Sequence, residues 1–326
     1  MDLIFTTPGT YLNVKDGLIA ITSDNKKSAI APAKVERIIL TTEAVLTTAV
    51  LHTAAENNID IVILDRTGEP VGRFWHSRFG SITTIRRRQL ELTTNDKGSD
   101  YAHEWVINKL KNQLEFVKEL AKNRPKLHDR IIEKSYTIEN NIASLTDIQG
   151  SVDEKRNSII GLEGSASKVY FEILSLCMPE RYSFKGRSRQ PANDPFNAFL
   201  NYNYGILYSS VEKACIIAGL DPYIGFVHTD NYNKPSLVFD IIENFRIYAD
   251  ETVFHLFSRK MVNDKMTDEI PHGFSLNKEG KKLLFDEWKK FLDNMIRYGN
   301  KNMTREDTIQ AFCHTFANSL LKQPEE

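Results

Sequence analysis

Arg86-Arg87-Arg88, followed closely by Thr93-Thr94-Asn95-Asp96-Lys97-Gly98, marks the place where the hydrophobic period of this chain changes. A basic run and then a polar one ending in glycine reads as a linker. Before it, short apolar runs alternate with turn residues: Leu18-Ile19-Ala20-Ile21, Arg37-Ile38-Ile39-Leu40 and Ile59-Asp60-Ile61-Val62-Ile63-Leu64 read as strands, and Asp65-Arg66-Thr67-Gly68-Glu69 as a hairpin turn. Between Thr42 and Asn58 the residues Ala44, Val45, Val50, Leu51 and Ala54 recur at helical spacing, which predicts one helix within this unit. After it, amphipathic stretches near 101–123, 127–148, 152–178, 195–218, 237–262, 279–297 and 304–321 predict helices. The expected fold is α+β: a small N-terminal β domain over 1–85, a linker over 86–99, and a larger all-α domain over 100–326.

A chain of 326 residues is long enough for two domains and a large core, and 41% hydrophobic with 26% charged residues is a globular composition. Forty-two basic residues against forty-three acidic ones leave a net charge of −1, so bulk charge does not mark a nucleic-acid binder and any such contact must use local patches. Cys177, Cys215 and Cys313 lie far apart in apolar helical stretches, which suits reduced core thiols and a cytoplasmic location. The first residues lack a signal-peptide pattern, and no run approaches about 18 consecutive apolar residues, so no membrane association is expected.

One patch stands out. In the segment from Arg181 to Pro191, Arg181, Lys185, Arg187 and Arg189 are interleaved with Tyr182 and Phe184 without a helical period, as in a loop that grips phosphates or in an ordinary solvated loop. Tyr202, Tyr204 and Tyr208 could stack on bases, but their spacing in an apolar helix favours core packing.

Three stretches hold residues able to bind a metal. Asp240 and Glu243 lie three apart among Val238, Phe239, Ile241, Ile242 and Phe245, so both belong to one mostly buried helix face. Buried carboxylates need compensation, by a metal or by Arg246 as an intrahelical partner. Gly219 to His228 turns out of a helix and delivers an imidazole twelve positions before Asp240. Carboxylates with a histidine form a mixed oxygen and nitrogen set suited to Mg²⁺ or Mn²⁺, although a lone histidine is more often structural. Glu163 stands between Gly161 and Gly164 in a helical stretch, which implies a close approach by a ligand or another backbone, or tight helix packing. Spacing alone does not join Glu163 to the other two. The competing signal is His128-Asp129, a dipeptide of helical metal-dependent phosphohydrolases, better read as an exposed first helical turn; phosphate-loop and nucleophile-elbow patterns are absent from the sequence.

Four passages together resemble the CRISPR-associated integrase/endonuclease family: Gly161-Leu162-Glu163-Gly164-Ser165-Ala166 with Tyr170-Phe171; Asp194-Pro195-Phe196-Asn197-Ala198-Phe199-Leu200 with Tyr202, Tyr204 and Tyr208; Leu220-Asp221-Pro222 with Gly225 and His228; and Leu237, Asp240, Glu243 and Arg246. The resemblance spans nearly the whole chain. It implies metal ligation by Glu163, His228 and Glu243, with Asp240 at the neighbouring acidic position. It further implies spacer insertion into a CRISPR array by phosphodiester transesterification, with nicking when water is the nucleophile. A homodimer formed through the β domains and a small ferredoxin-like partner protein are also expected. Asn203 and Asn244 depart from the family's usual glycine and proline, which puts local backbone shape in doubt rather than ligation. The alternative is a catalytically silent DNA-binding or architectural subunit of the same fold.

Overall fold

The computed structural model describes residues 1–76, 83–94, 96–148, 152–189, 191–226 and 234–322. Its N-terminal unit comprises β1 (Asp2–Phe5), β2 (Thr10–Lys15), β3 (Leu18–Ser23), β4 (Lys26–Ile30), β5 (Arg37–Leu40), β6 (Ala44–Leu46), α1 (Thr48–Glu56), β7 (Asp60–Leu64) and β8 (Pro70–Phe74). They form two four-stranded sheets, ordered β4-β3-β2-β6 and β1-β5-β7-β8. The expected helix is shorter than its apolar spacing indicated, because Ala44 and Val45 pair with Thr10 and Tyr11 in a parallel ladder.

The second sheet carries buried side chains on both faces, although Ile63 of β7 and Val71 of β8 are exposed. Along a strand, side chains alternate sides. Ile38, Leu40, Ile59 and Ile61 enter a core shared with Leu12, Ile19 and α1, while Ile39, Val62 and Leu64 enter the core of the helical unit. Alternation thus spreads one sheet across two cores, which explains the continuous apolar runs in β5 and β7.

Polar ties reinforce this junction. The Arg37 guanidinium is buried, pairs with Asp2 at 2.5 Å and donates to Ser210 Oγ at 2.9 Å. Arg73 pairs with Asp60 at 3.0 Å and with Glu212 at 2.6 Å. Asp65 Oδ1 closes the β7–β8 turn by accepting from the Thr67 and Glu69 amides at 2.8 and 2.9 Å.

The stretch expected as a linker is instead helical. It contains α2 (Thr83–Leu92) and the start of α3 (Asp96–Lys122). Ile85, Gln89 and Leu92 recur on one buried side of α2, and Arg88, half-buried beside that side, pairs with Glu91 at 3.0 Å. The arginines therefore form the polar side of an amphipathic helix.

Beyond it lie α4 (His128–Thr146), α5 (Val152–Leu176), α6 (Pro195–Ile217), α7 (Ser236–Ile241), α8 (Arg246–Ser258), β9 (Thr267–Ile270), β10 (Gly273–Leu276), α9 (Lys278–Asp293), β11 (Met295–Tyr298), β12 (Lys301–Thr304) and α10 (Arg305–Leu321). The unit is helical as expected, with two short antiparallel hairpins between its last helices. Helix α6 runs through its centre, buried on most sides. At Gly205 the backbone of α6 meets the β7–β8 turn so closely that a Cβ there would lie 1.7 Å from the Gly68 carbonyl oxygen. Among the described residues, no helix is long and apolar enough to cross a membrane. Cys177, Cys215 and Cys313 are buried free thiols.

Candidate metal and nucleic-acid site

Helix α7 stops at Ile241, and a 3-10 turn over Ile242–Phe245 joins it to α8. The Asn244 carboxamide donates to the Ile241 carbonyl at 3.2 Å, and this side-chain competition with the helix ladder accompanies the break. Asp240 and Glu243 are 2% and 5% exposed, as expected of acids within an apolar stretch. They serve different partners, however. Asp240 Oδ2 accepts from the Phe226 amide at 2.6 Å and ties down the segment leading to Phe226. That segment is also held from α2: the Gln89 carboxamide donates to the Asp221 and Ile224 carbonyls at 2.8 and 2.7 Å and accepts from the Asp221 amide at 2.9 Å.

Glu243 is met by two cations. Arg246 Nε donates to Oε1 at 2.7 Å, and the Lys109 ammonium stands 2.8 Å from Oε2. The same ammonium bonds Glu163 Oε1. Glu163 and Glu243 therefore converge on one cation position, held here by a lysine from α3. Burial alone would raise the Glu243 carboxyl, but Arg246 and Lys109 outweigh it and hold the group at about 2. Burial likewise works against the Lys109 charge, and Glu243 with Glu163 reverses it, so the ammonium lies above its ordinary value.

Arg246 cannot easily leave. Besides Glu243 it donates to the Tyr208 hydroxyl at 3.2 Å, and its guanidinium lies 4.9 Å from the Tyr204 ring centroid. Tyr204 is anchored in turn, donating to the buried Asp250 carboxylate at 2.5 Å. Tyr202 and Tyr204 are buried as expected, while Tyr208 is half-buried with its hydroxyl on Arg246.

Glu163 faces a cavity of about 500 Å³ whose lining includes Lys109, Lys185, Arg187, Arg189 and Glu243. Arg187 donates to Asn197 Oδ1 at 3.0 Å and stacks 5.2 Å from the Tyr204 centroid. Burial, with help from Arg246 and Arg189, pulls its guanidinium below the ordinary arginine value, so an arriving anion would be welcome there. Three of the four basic loop residues thus share the cavity with Glu163. Arg181 does not; it is exposed and paired with Asp264. A second cavity, about 540 Å³, shares Arg187, Arg189, Tyr204 and Arg246 with the first and extends it past Lys234.

The glycines beside Glu163 serve openness rather than close packing, since a Cβ on Gly161 or Gly164 would meet nothing within 4 Å. His228 lies outside the described residues. Among those described, no group of three or more His, Cys, Asp or Glu side chains is gathered as a metal cluster. The pair Glu163 and Glu243 nevertheless presents hard carboxylate oxygens to one buried cation position, and beside it Glu163, Asp240 and Glu243 line a pocket of about 20 Å³, room for roughly one water-sized body. That donor set fits a hard divalent ion. His128 stays in the exposed first turn of α4, 3.0 Å from Asp129.

Lys109 is the site residue that sequence reasoning did not single out. Its signal was available: Ala102, Val106, Leu110, Gln113 and Val117 form the buried stripe of α3, and Lys109 falls on that stripe.

Comparison with known proteins joins these observations. The model of the family described as CRISPR associated protein Cas1 matches residues 3–290. The chain belongs to the Cas1 family. A Cas1 relative from Archaeoglobus fulgidus, named CRISPR-associated endonuclease Cas1 1, is 32% identical over 323 residues, covering 95% of this chain and 93% of its own length. A Cas1 protein from Thermotoga maritima has the same fold, with a TM-score of 0.82 at 22% identity and full coverage of both chains. A casposase bound to its integration product also superposes, with a TM-score of 0.88 at 21% identity over 100% of this chain and 92% of that one.

Proposed function

We propose that this Cas1-family chain is a divalent-metal-dependent DNA integrase and endonuclease that inserts spacer DNA into a CRISPR array. The observation that carries this reading is the convergence of Glu163 and Glu243 on a single buried cation position at the edge of a cavity walled by Lys185, Arg187 and Arg189. Glu163 and Glu243 would hold Mg²⁺ or Mn²⁺ with His228 as the third ligand, and Asp240 would keep the approach to His228 in place through Phe226. Bound there, the ion would polarise a phosphodiester and stabilise charge on its attacking and leaving oxygens.

The remaining work belongs to the chain itself. Arg187 and Arg189 would receive backbone phosphates along the two joined cavities. Arg246, fixed by Glu243 and two tyrosines, would hold the acidic ligand in one orientation. A DNA 3′-hydroxyl as nucleophile gives integration and water gives nicking. A cytoplasmic assembly with a second copy through the β unit and with a small ferredoxin-like adaptation protein completes the proposal.

The lysine in the cation position favours a second reading, a silent DNA-binding subunit whose carboxylates are permanently neutralised. An integration assay separates the two, with short duplexes, a supercoiled array plasmid and Mn²⁺ or Mg²⁺. The wild type should join strands, and Glu163→Ala and His228→Ala should each lose at least about a hundredfold, an effect on the scale of removing one stabilising group. Undiminished strand transfer in either variant refutes the assignment of that residue, and an inactive wild type supports the silent subunit.

A further inference from the structure

We infer that Lys109 is an exchangeable internal counter-ion, holding Glu163 and Glu243 together until a divalent ion displaces its ammonium into the adjoining cavity. This rests on the reading of the two glutamates as metal ligands.

Charge requires some such group. Glu243 is 5% exposed and Glu163 stands across the same cation, so without one the two carboxylates would face each other in a poorly hydrated place. Burial of like charges that lack compensation is strongly unfavourable. Of the two glutamates Arg246 reaches Glu243, on its other oxygen, so among the described residues Lys109 alone bridges the pair.

The two cations differ in their freedom. Arg246 is held by a carboxylate, a phenol hydroxyl and the face of an aromatic ring. Among the described residues Lys109 has only the two glutamates at its tip, and its side chain lines a cavity of about 500 Å³ together with Gln113 and Ser167. A four-carbon stem with a compact ammonium can swing into that space. A divalent ion carries twice the charge and approaches carboxylate oxygen more closely than an ammonium does, so it wins the contest for the shared oxygens. Metal binding then becomes an exchange, and Lys109 weakens it.

The test measures metal binding without DNA. Mn²⁺ is titrated calorimetrically into the full chain as wild type, K109Q and E163Q. K109Q should bind at least about tenfold more tightly than wild type, because one competing unit charge is gone, and E163Q should lose the site. K109Q binding equally or more weakly, while E163Q loses Mn²⁺, overturns the counter-ion inference and leaves the metal site standing. E163Q binding Mn²⁺ like wild type overturns the metal site itself. Because K109Q leaves the buried Glu243 and the half-buried Glu163 facing one arginine and is prone to unfold, the wild type supplies a second measurement. Acylation of Lys109 by an amine-reactive probe, mapped by peptide mass, should rise severalfold under saturating Mn²⁺ relative to exposed lysines; an unchanged rate overturns the inference.

Discussion

Glu251 on α8 lies among Glu119, His255 and Arg305 around a cavity of about 460 Å³ that neither Glu163 nor Glu243 lines. Burial pushes its carboxyl up to about 7, with Glu119 and Asp250 adding to the effect and Arg305 only partly opposing it. Its folded value therefore exceeds the ordinary value of 4.5, and the folded protein holds the proton more tightly than the unfolded one. The associated stability is fully present below about 4.5 and is lost as pH rises through about 7. Glu251→Gln should leave stability unchanged near pH ~4 and raise it by about 3 kcal/mol near pH ~8, as read by thermal melts at the two pH values. A variant no more stable at the higher pH would remove burial as the cause. At the same scale, Glu163 and Glu243 were legible in the sequence through motif order, whereas Lys109 was not. A lysine on an amphipathic helix is usually solvated, and only its place on the Val106–Leu110–Gln113 stripe set it apart.

Among elements, α6 sets the geometry of the site, and the contact between Gly205 and the Gly68 turn sets how far α6 can shift. Gly205→Ala would put a Cβ 1.7 Å from the Gly68 carbonyl oxygen, and the obstacle is backbone rather than a movable side chain. The variant should lose at least about 2–3 kcal/mol, measured by urea denaturation, and lose strand transfer with it because Tyr204 and Tyr208 share the helix. The loop over Lys185–Arg189 makes a different prediction. If Lys185 and Arg189 meet phosphates, each alanine variant should weaken binding of unrelated DNA sequences alike and lower the salt slope by about 1; unchanged slopes in a fluorescence titration would place these residues off the DNA. Long helices were readable because their period persists over several turns. The hairpins over 267–276 and 295–304 were not, since four-residue strands of mixed polarity leave too few alternations. Helix α2 was hidden for another reason: its arginine run resembles a linker until Ile85, Gln89 and Leu92 are seen to fall on one side.

For the whole molecule, the β unit and the helical unit share a core through Ile39, Val62 and Leu64 and a polar seam through Arg37 and Arg73. Unfolding should accordingly be one cooperative event. Scanning calorimetry in EDTA should show a single peak whose calorimetric and van't Hoff enthalpies agree, and two resolved peaks would mean that the seam contributes little. The change of period in the sequence marks a strand-rich region followed by a helical one, but it could not show that the sheet between them is covered on both sides, because a doubly buried strand carries no polar alternation to mark its second partner. The doubly covered sheet also sets an order of events during synthesis. Strands β5 and β7 emerge long before α6, so at ordinary translation rates the sheet waits on the order of ten seconds for its cover. For that interval the nascent chain presents Ile39, Val62 and Leu64 as an open apolar face, a place for chaperones to hold and for neighbouring nascent chains to stick.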